Sequence, residues 1–304
     1  MTRARRSALA AAAALVALGG GGCSPPDEIV VAVPTDLSLP DDLDTLQIQV
    51  FEGGRPRFSA AYERLGEDDA GTLLPATIGF YSATGGDDPL RIQVTGRTGG
   101  ELGAVRILRE AATRIPKNRI VLLAMPLNFL CDGSGRDDGE GGVENARCGE
   151  GQTCVAGACA SSEVDSSALP DYSVRDVYGG GTGDGDGDCF DVPACFQDAA
   201  PAEVDAAACT VAAPGGATLN VALALPSEDG ICGDGRCLVA LDAGSDDGFR
   251  ADGEQIQLPP AVCEQMAGGK IEGVVTAPVT AACAQKTAGL PTCGPWSASG
   301  SKAR

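Results

Sequence analysis

Residues 46–50 read Leu-Gln-Ile-Gln-Val. Apolar and polar side chains alternate with a period of two, which puts Leu46, Ile48 and Val50 on one face of an extended chain and Gln47 and Gln49 on the other. The alternation returns at 90–94, where Leu90, Ile92 and Val94 share a face, and again with Val105 and Ile107. Between these runs lie Gly53-Gly54, Gly85-Gly86 and Gly99-Gly100, residues that suit turns, and no stretch of ten residues shows apolar spacing at three and four. Half-buried strands between tight turns predict a β-sandwich-like domain over residues 45–130, closed by a strand at 119–125.

The pattern resumes further on. Leu219, Val221, Leu223 and Leu225 alternate with small or polar residues, and short apolar runs follow at 237–241, 256–258 and 271–275, so residues 209–297 are expected to form a second β domain. One short helix is expected at 261–266, with Pro260 in its first turn and Gly268-Gly269 as its stop. Residues 298–304 are expected to be a disordered tail. Between the two domains, residues 131–208 carry seventeen acids against Arg136, Arg147 and Arg175, and few large aliphatic side chains. Such a segment cannot bury much, so its order depends on covalent links, and GGGTGDGDGD at 179–188 is expected to be a mobile linker. The fold class is mainly β: two β-sandwich-like domains joined by a disulfide-bearing, acidic, Gly-rich connector.

The start of the chain carries the compartment. Arg3, Arg5 and Arg6 precede an unbroken apolar run at 8–18, the basic and hydrophobic regions of a signal peptide over residues 1–22. That run is shorter than the roughly 20 residues a membrane-spanning helix needs. Gly19–Gly22 lead into Cys23 and resemble a bacterial lipobox, with Gly20 where leucine is usual, so Cys23 is the expected lipidation site. Residues 23–44, with Pro25, Pro26, Pro34 and Pro40, are expected to be the lipid anchor and a tether holding one strand at 29–33. Ser24 follows the anchor instead of the aspartate that marks inner-membrane retention, so the expected location is the outer membrane or cell surface.

Cysteine arithmetic agrees with export. Of thirteen cysteines, lipidation of Cys23 leaves an even set: Cys131, Cys148, Cys154, Cys159, Cys189, Cys195, Cys209, Cys232, Cys237, Cys263, Cys283 and Cys293. In an oxidising compartment these are disulfide candidates, with many connectivities open. Cys232 and Cys237 flank Gly-Asp-Gly-Arg, a sequence that turns easily and offers one pairing among them. With no cysteine between Ser24 and Leu130, the first β domain is expected to respond little to reductant.

Chemistry is mostly excluded. The chain has no histidine, which removes Ser-His-Asp and Cys-His catalysis and most zinc sites. The lysines at 117, 270 and 286 have no serine at helical spacing, and Lys302 lies in the expected disordered tail. A formal charge of −20, from 42 acids and 22 basic residues, repels nucleic acid. Carboxylate pairs hydrolyse glycosides without histidine, but most acids here sit beside glycine in apparent loops. Asp184, Asp186 and Asp188 alternate with glycine like calcium ligands, and Asp191 follows as a further oxygen donor. An EF-hand loop needs glycine at its sixth position and glutamate at its twelfth, and this chain has Cys189 and Cys195 there, so a solvated linker is the expectation. No cofactor is expected. Trp296, the one tryptophan, offers either a sugar-stacking face or core packing beside Cys293.

Four segments taken together carry a resemblance: IVLLAMPLNFLC at 120–131, CGEGQTCVAGACASSEVDSSALPDY at 148–172, LPPAVCEQMAGG at 258–269 and TCGPWS at 292–297. The chain resembles a family of predicted surface lipoproteins of the myxobacterial type, of unknown function, in which a leading β domain, a CxxxQTCVAGxC connector and a C-terminal CGPWS recur. The resemblance implies export, a lipid anchor and a disulfide role for the connector, and it transfers no catalytic residue. The expected function is a non-enzymatic, lipid-anchored envelope protein, a binding or adhesion module whose partners are the membrane and an envelope protein or polysaccharide. The alternative is a carbohydrate-binding or carboxylate-dependent carbohydrate-active protein.

Overall fold

The computed structural model describes residues 26–67, 71–81, 88–233 and 235–300. The expected signal peptide, Cys23 and residues 301–304 lie outside them. The first half contributes β1 (Glu28–Val33), β2 (Thr45–Glu52), β3 (Arg55–Glu63), β4 (Ala76–Tyr81), β5 (Leu90–Thr98), β6 (Ala104–Thr113) and β7 (Ile120–Ala124). Two hairpins follow, β8 (Gly135–Asp137) with β9 (Val143–Asn145) and β10 (Gln152–Val155) with β11 (Ala158–Ser161), and then the one-turn helices α1 (Val174–Val177) and α2 (Val192–Cys195). The second half holds β12 (Ala200–Ala202), β13 (Val204–Asp205), β14 (Thr210–Ala212), β15 (Leu219–Leu225), β16 (Ile231–Gly233), β17 (Arg236–Ala240), β18 (Arg250–Asp252), β19 (Gln255–Gln257), α3 (Pro260–Ala267) and β20 (Gly273–Pro278). The protein is mainly β, as the alternation predicts, and no described helix is long and apolar enough to cross a membrane.

Leu46, Ile48 and Val50 face the core from β2, which pairs with β3 and β5 in the sheet β3-β2-β5-β6. A second sheet, β4-β1-β7, packs on it, with Phe58 and Phe80 meeting edge to face at 5.8 Å. Here the tether expectation is corrected. Residues 29–33, Ile-Val-Val-Ala-Val, form the central strand of this sheet, parallel to β7 and antiparallel to β4. Beyond them Leu37, Leu39 and Leu43 are fully buried. An apolar run without alternation is the mark of a strand covered on both faces, as parallel pairing requires.

The expectation of two separate domains on a connector also changes. One buried cluster runs from Ile29 on β1 to Val274 on β20 and takes in Cys131, Cys154 and Ala156 of the connector. The connector is a layer between the halves. Its β10–β11 hairpin turns at Ala156 and Gly157, both with positive φ, and seats that turn on α3. A side chain at Gly157 would come within 2.3 Å of the Ala261 methyl, so only glycine permits this approach.

The glycine run is pinned as well. The Gly185 amide donates to the Ala298 carbonyl at 3.0 Å and the Gly187 amide to that of Ser299 at 2.6 Å, while Asp188 bonds back to Gly179 at 2.8 Å. The linker and the described part of the tail therefore order each other: Ala298 and Ser299 are buried, and Ala298 packs with Val177 and Tyr178 over Ala32 on the outer face of β1. Composition alone suggests mobility in both segments; their mutual backbone hydrogen bonds and the uncovered face of β1 supply the order.

In the second half, a five-stranded sheet, β12-β20-β15-β17-β16, lies beside the four-stranded sheet β13-β14-β19-β18. The strand β15 is buried on both faces, with Val221 and Leu223 toward the shared core and Ala222 toward Phe190, Phe196 and Ile231. The helix α3 begins at Pro260 and stops at Gly268.

Candidate functional site

The residues that meet across the two halves are Asp42, on the segment entering β2, Asp229, on the turn between β15 and β16, and Arg106, on β6. One carboxylate oxygen of Asp42 accepts the amides of Ser38 and Gly230, each at 2.8 Å. Asp229 accepts the Ser227 hydroxyl at 2.8 Å on one oxygen and both terminal nitrogens of Arg106 at 3.4 Å on the other. The Arg106 Nε donates to Asp132 at 2.7 Å, and that hydrogen bond is the largest influence holding its guanidinium charged.

The environments of the two carboxyls pull their proton affinities apart. Burial pushes Asp42 up to about 6, against the amides of Ser38 and Gly230 and with help from the nearby Asp229 charge. Burial also opposes ionisation of Asp229, but the Ser227 hydroxyl, the Arg106 charge and the Asp42 carboxyl outweigh it and hold Asp229 below the usual range. Asp42 therefore takes up its proton at a higher pH than Asp229.

This pair forms part of the wall of a groove of about 870 Å³, together with Glu228, Glu272, Arg236 and the Cys232–Cys237 bridge. Past Asp41 and Glu228 the groove continues into a hollow of about 380 Å³ where Trp296 and Pro295 form the wall. Trp296 is half-buried; its carbonyl accepts the Leu74 amide at 3.0 Å, and a side chain at Gly66 would meet its Cβ at 2.6 Å. It packs against both buried clusters while lining the hollow, so core packing and partial exposure are combined in one residue.

All twelve described cysteines are paired: Cys131–Cys154, Cys148–Cys159, Cys189–Cys293, Cys195–Cys283, Cys209–Cys263 and Cys232–Cys237. Three of the calcium candidates, Asp186, Asp188 and Asp191, line one hollow of about 560 Å³. Their oxygens are not gathered. Asp186 takes the Thr182 amide at 2.6 Å, which lowers its proton affinity, and Asp191 takes the Ala194 amide at 3.1 Å as the cap of α2. Asp184 meets only the Thr182 hydroxyl at 3.4 Å. Among the described residues no group of three or more His, Cys, Asp or Glu side chains is placed to hold a metal ion.

A second charge cluster forms around the buried Lys286. Lys286, 5% exposed, meets Asp242 at 2.5 Å, and Asp36 bonds the Phe129 amide at 2.8 Å nearby. Burial pushes Asp36 up to about 7, opposed by that amide and by the Lys286 charge and aided by Asp242. Sequence reasoning passes over Asp36, Asp42 and Asp229 alike, since the first two fall in a supposed tether and the third among solvated acids. No spacing signal exists for partners separated by 188 positions, as Asp42 and Gly230 are.

Compared with known proteins, the chain matches no family model, no curated protein and no solved structure.

Proposed function

We propose that the protein is exported and lipid-anchored at Cys23 in the cell envelope, and acts there as a non-enzymatic binding module at the outer membrane or cell surface. The observation that carries this reading is the cysteine balance: every cysteine of the described body is in a disulfide, and Cys23 alone stands outside the set. Six disulfides suit an oxidising compartment. A body cross-linked in this way holds its loops in one arrangement, which lowers the entropy lost on binding a partner. The ligand surface in this reading is the acidic groove running from Asp229 to Trp296.

Cys23→Ala is expected to move the protein from the membrane pellet to the soluble fraction, since no described helix replaces the anchor. Fractionation after a high-salt wash measures this, and a variant that still sediments removes the anchor from the reading.

The half-exposed Trp296 beside the groove favours a second reading, carbohydrate binding, because an indole face complements the apolar face of a sugar. A glycan array separates the two. Saccharide binding that weakens about tenfold or more in Trp296→Leu, roughly the loss of 1 to 2 kcal/mol of stacking, supports carbohydrate recognition. No glycan binding, with capture of an envelope protein instead, supports the adhesion reading.

A further inference from the structure

We propose that Lys286 and Asp242 are joined by an intramolecular isopeptide bond, formed as the lysine amine condenses with the aspartate carboxyl while Asp36 relays the protons. The three side chains come from distant parts of the chain. Asp36 lies between β1 and β2, Asp242 just after β17, and Lys286 on the segment that leads from β20 to Cys293 and Trp296. The Lys286 Nζ stands 2.5 Å from Oδ1 of Asp242. The carboxyl carbon is one C–O bond further, so the two atoms to be joined are at most about 3.7 Å apart, near the roughly 3 to 3.5 Å of a reactive approach.

Backbone contacts hold the pair in place. The Lys286 amide donates to the Asn220 side-chain oxygen at 2.8 Å, and the Lys286 carbonyl accepts at 2.8 Å from the amide of Ala243, the residue after Asp242. The Asp242 carbonyl accepts the Phe249 amide at 2.9 Å. Leu241, Phe249 and Phe129 belong to the shared core, and the Lys286 side chain is only 7% exposed. Its ammonium also donates to the Thr287 carbonyl at 3.3 Å. An ion pair kept in such a place forgoes the hydration of two charges. Condensation to a neutral amide removes both. The Asp242 side chain, 22% exposed, reaches the edge of the core and gives the released water a way out.

The step balances without an oxidant or a cofactor. After one proton passes from the Lys286 ammonium to the Asp242 carboxylate, Nζ attacks Cγ, the N–C bond forms, one Cγ–O bond breaks, and that oxygen leaves as water. An ammonium and a carboxylate become an amide and one water. Asp36 suits the relay: it accepts the Phe129 amide at 2.8 Å on one oxygen, burial keeps it protonated up to about 7, and the charges of both Asp242 and Lys286 act on it. It gives its proton to the departing oxygen and takes one back from the nitrogen, ending as it began. Free amines and acids do not condense in water, but partners held by a fold reach effective molarities on the order of 10⁵ to 10⁸ M. The amide ties the end of β17 to the segment carrying Trp296, and unlike the six disulfides it survives reductant.

The test is a tryptic digest of the full chain after reduction and alkylation. Trypsin does not cut after an acylated lysine, so residues 237–250 and 271–302 are expected as one branched peptide, lighter than the two apart by one water, about 18 Da. Fragmentation is expected to place the link between Asp242 and Lys286. Free peptides 237–250 and 271–286 overturn the bond, and so does a water lost within 237–250 alone, as in a cyclic imide. Lys286→Arg keeps the positive charge without the amine and is expected to leave the peptides unlinked. In Asp36→Asn, sampled soon after synthesis, the linked fraction is expected to fall at least about tenfold, since a lost proton relay slows a step by about a hundredfold or more. An undiminished fraction overturns the part given to Asp36. The wild-type digest decides the bond even where a variant fails to fold.

Discussion

Replacing Cys189 and Cys293 together by serine is expected to destabilise the protein by about 4 to 5 kcal/mol, the largest loss of any single bridge. The bond joins positions 104 residues apart, and the chain entropy released to the unfolded state grows with the logarithm of that span. The native side adds to the loss. Cys293 is buried, and the segment after it carries Trp296, Ser297 and Ala298 back to Leu74 and onto the outer face of β1. Cys232→Ser with Cys237→Ser is the matched control, since that bridge spans 5 positions and is expected to contribute about 2 kcal/mol. Urea midpoints of the two double variants measure the difference, and equal shifts contradict the argument. The first half shares in this response. Cys131–Cys154 sits inside the continuous core, and the carbonyl of Cys154 accepts from Arg109 on β6, so insensitivity of residues 45–130 to reductant is not the expectation once the packing is known.

Stability is expected to fall as pH rises from about 4 to about 7, by on the order of 3 kcal/mol. Asp36 holds its proton up to about 7 in the folded chain because it is enclosed beside Asp242, while an unfolded aspartate releases it near the ordinary 3.8. Between those values the native state binds more protons than the unfolded one, and stability declines with increasing pH. Asp42, raised to about 6, and Asp247, raised by burial against the Arg109 charge, act in the same direction. Asp44, Asp138, Asp165, Asp186 and Asp229 have lowered affinities. Their stabilisation is present above the ordinary value and is lost as pH falls below it, so the optimum lies near pH 4 to 5. Thermal melts across the range test this. Because the net charge of −20 also relaxes on acidification, Asp36→Asn is the deciding variant: it should flatten the slope between pH 4 and 7, and an unchanged slope assigns the effect to long-range repulsion.

Period-two patterns at 46–50, 90–94 and 219–225 located β2, β5 and β15 because alternation is a local property, forced by a core on one side and water on the other. Proline and glycine bounded α3 for an equally local reason, backbone geometry at a helix end. The even set of cysteines was legible in the same way, though which sulfurs meet was not. Residues 29–33 could be recognised as a strand but not as the centre of a parallel pair, since the partner at 120–124 lies about ninety residues away. The glycine run at 179–188 has the composition of a mobile linker, and its order comes from Ala298 and Ser299, which no local window contains. Asp36, Asp42 and Asp229 became distinctive only when folding removed water and set Lys286, Gly230 and Arg106 beside them. The sequence by itself determined strand content, turn positions, charge and the capacity for disulfides, all set by neighbours in the chain. Pairing, burial and proton affinity depend on neighbours in space, and those only the tertiary structure decided.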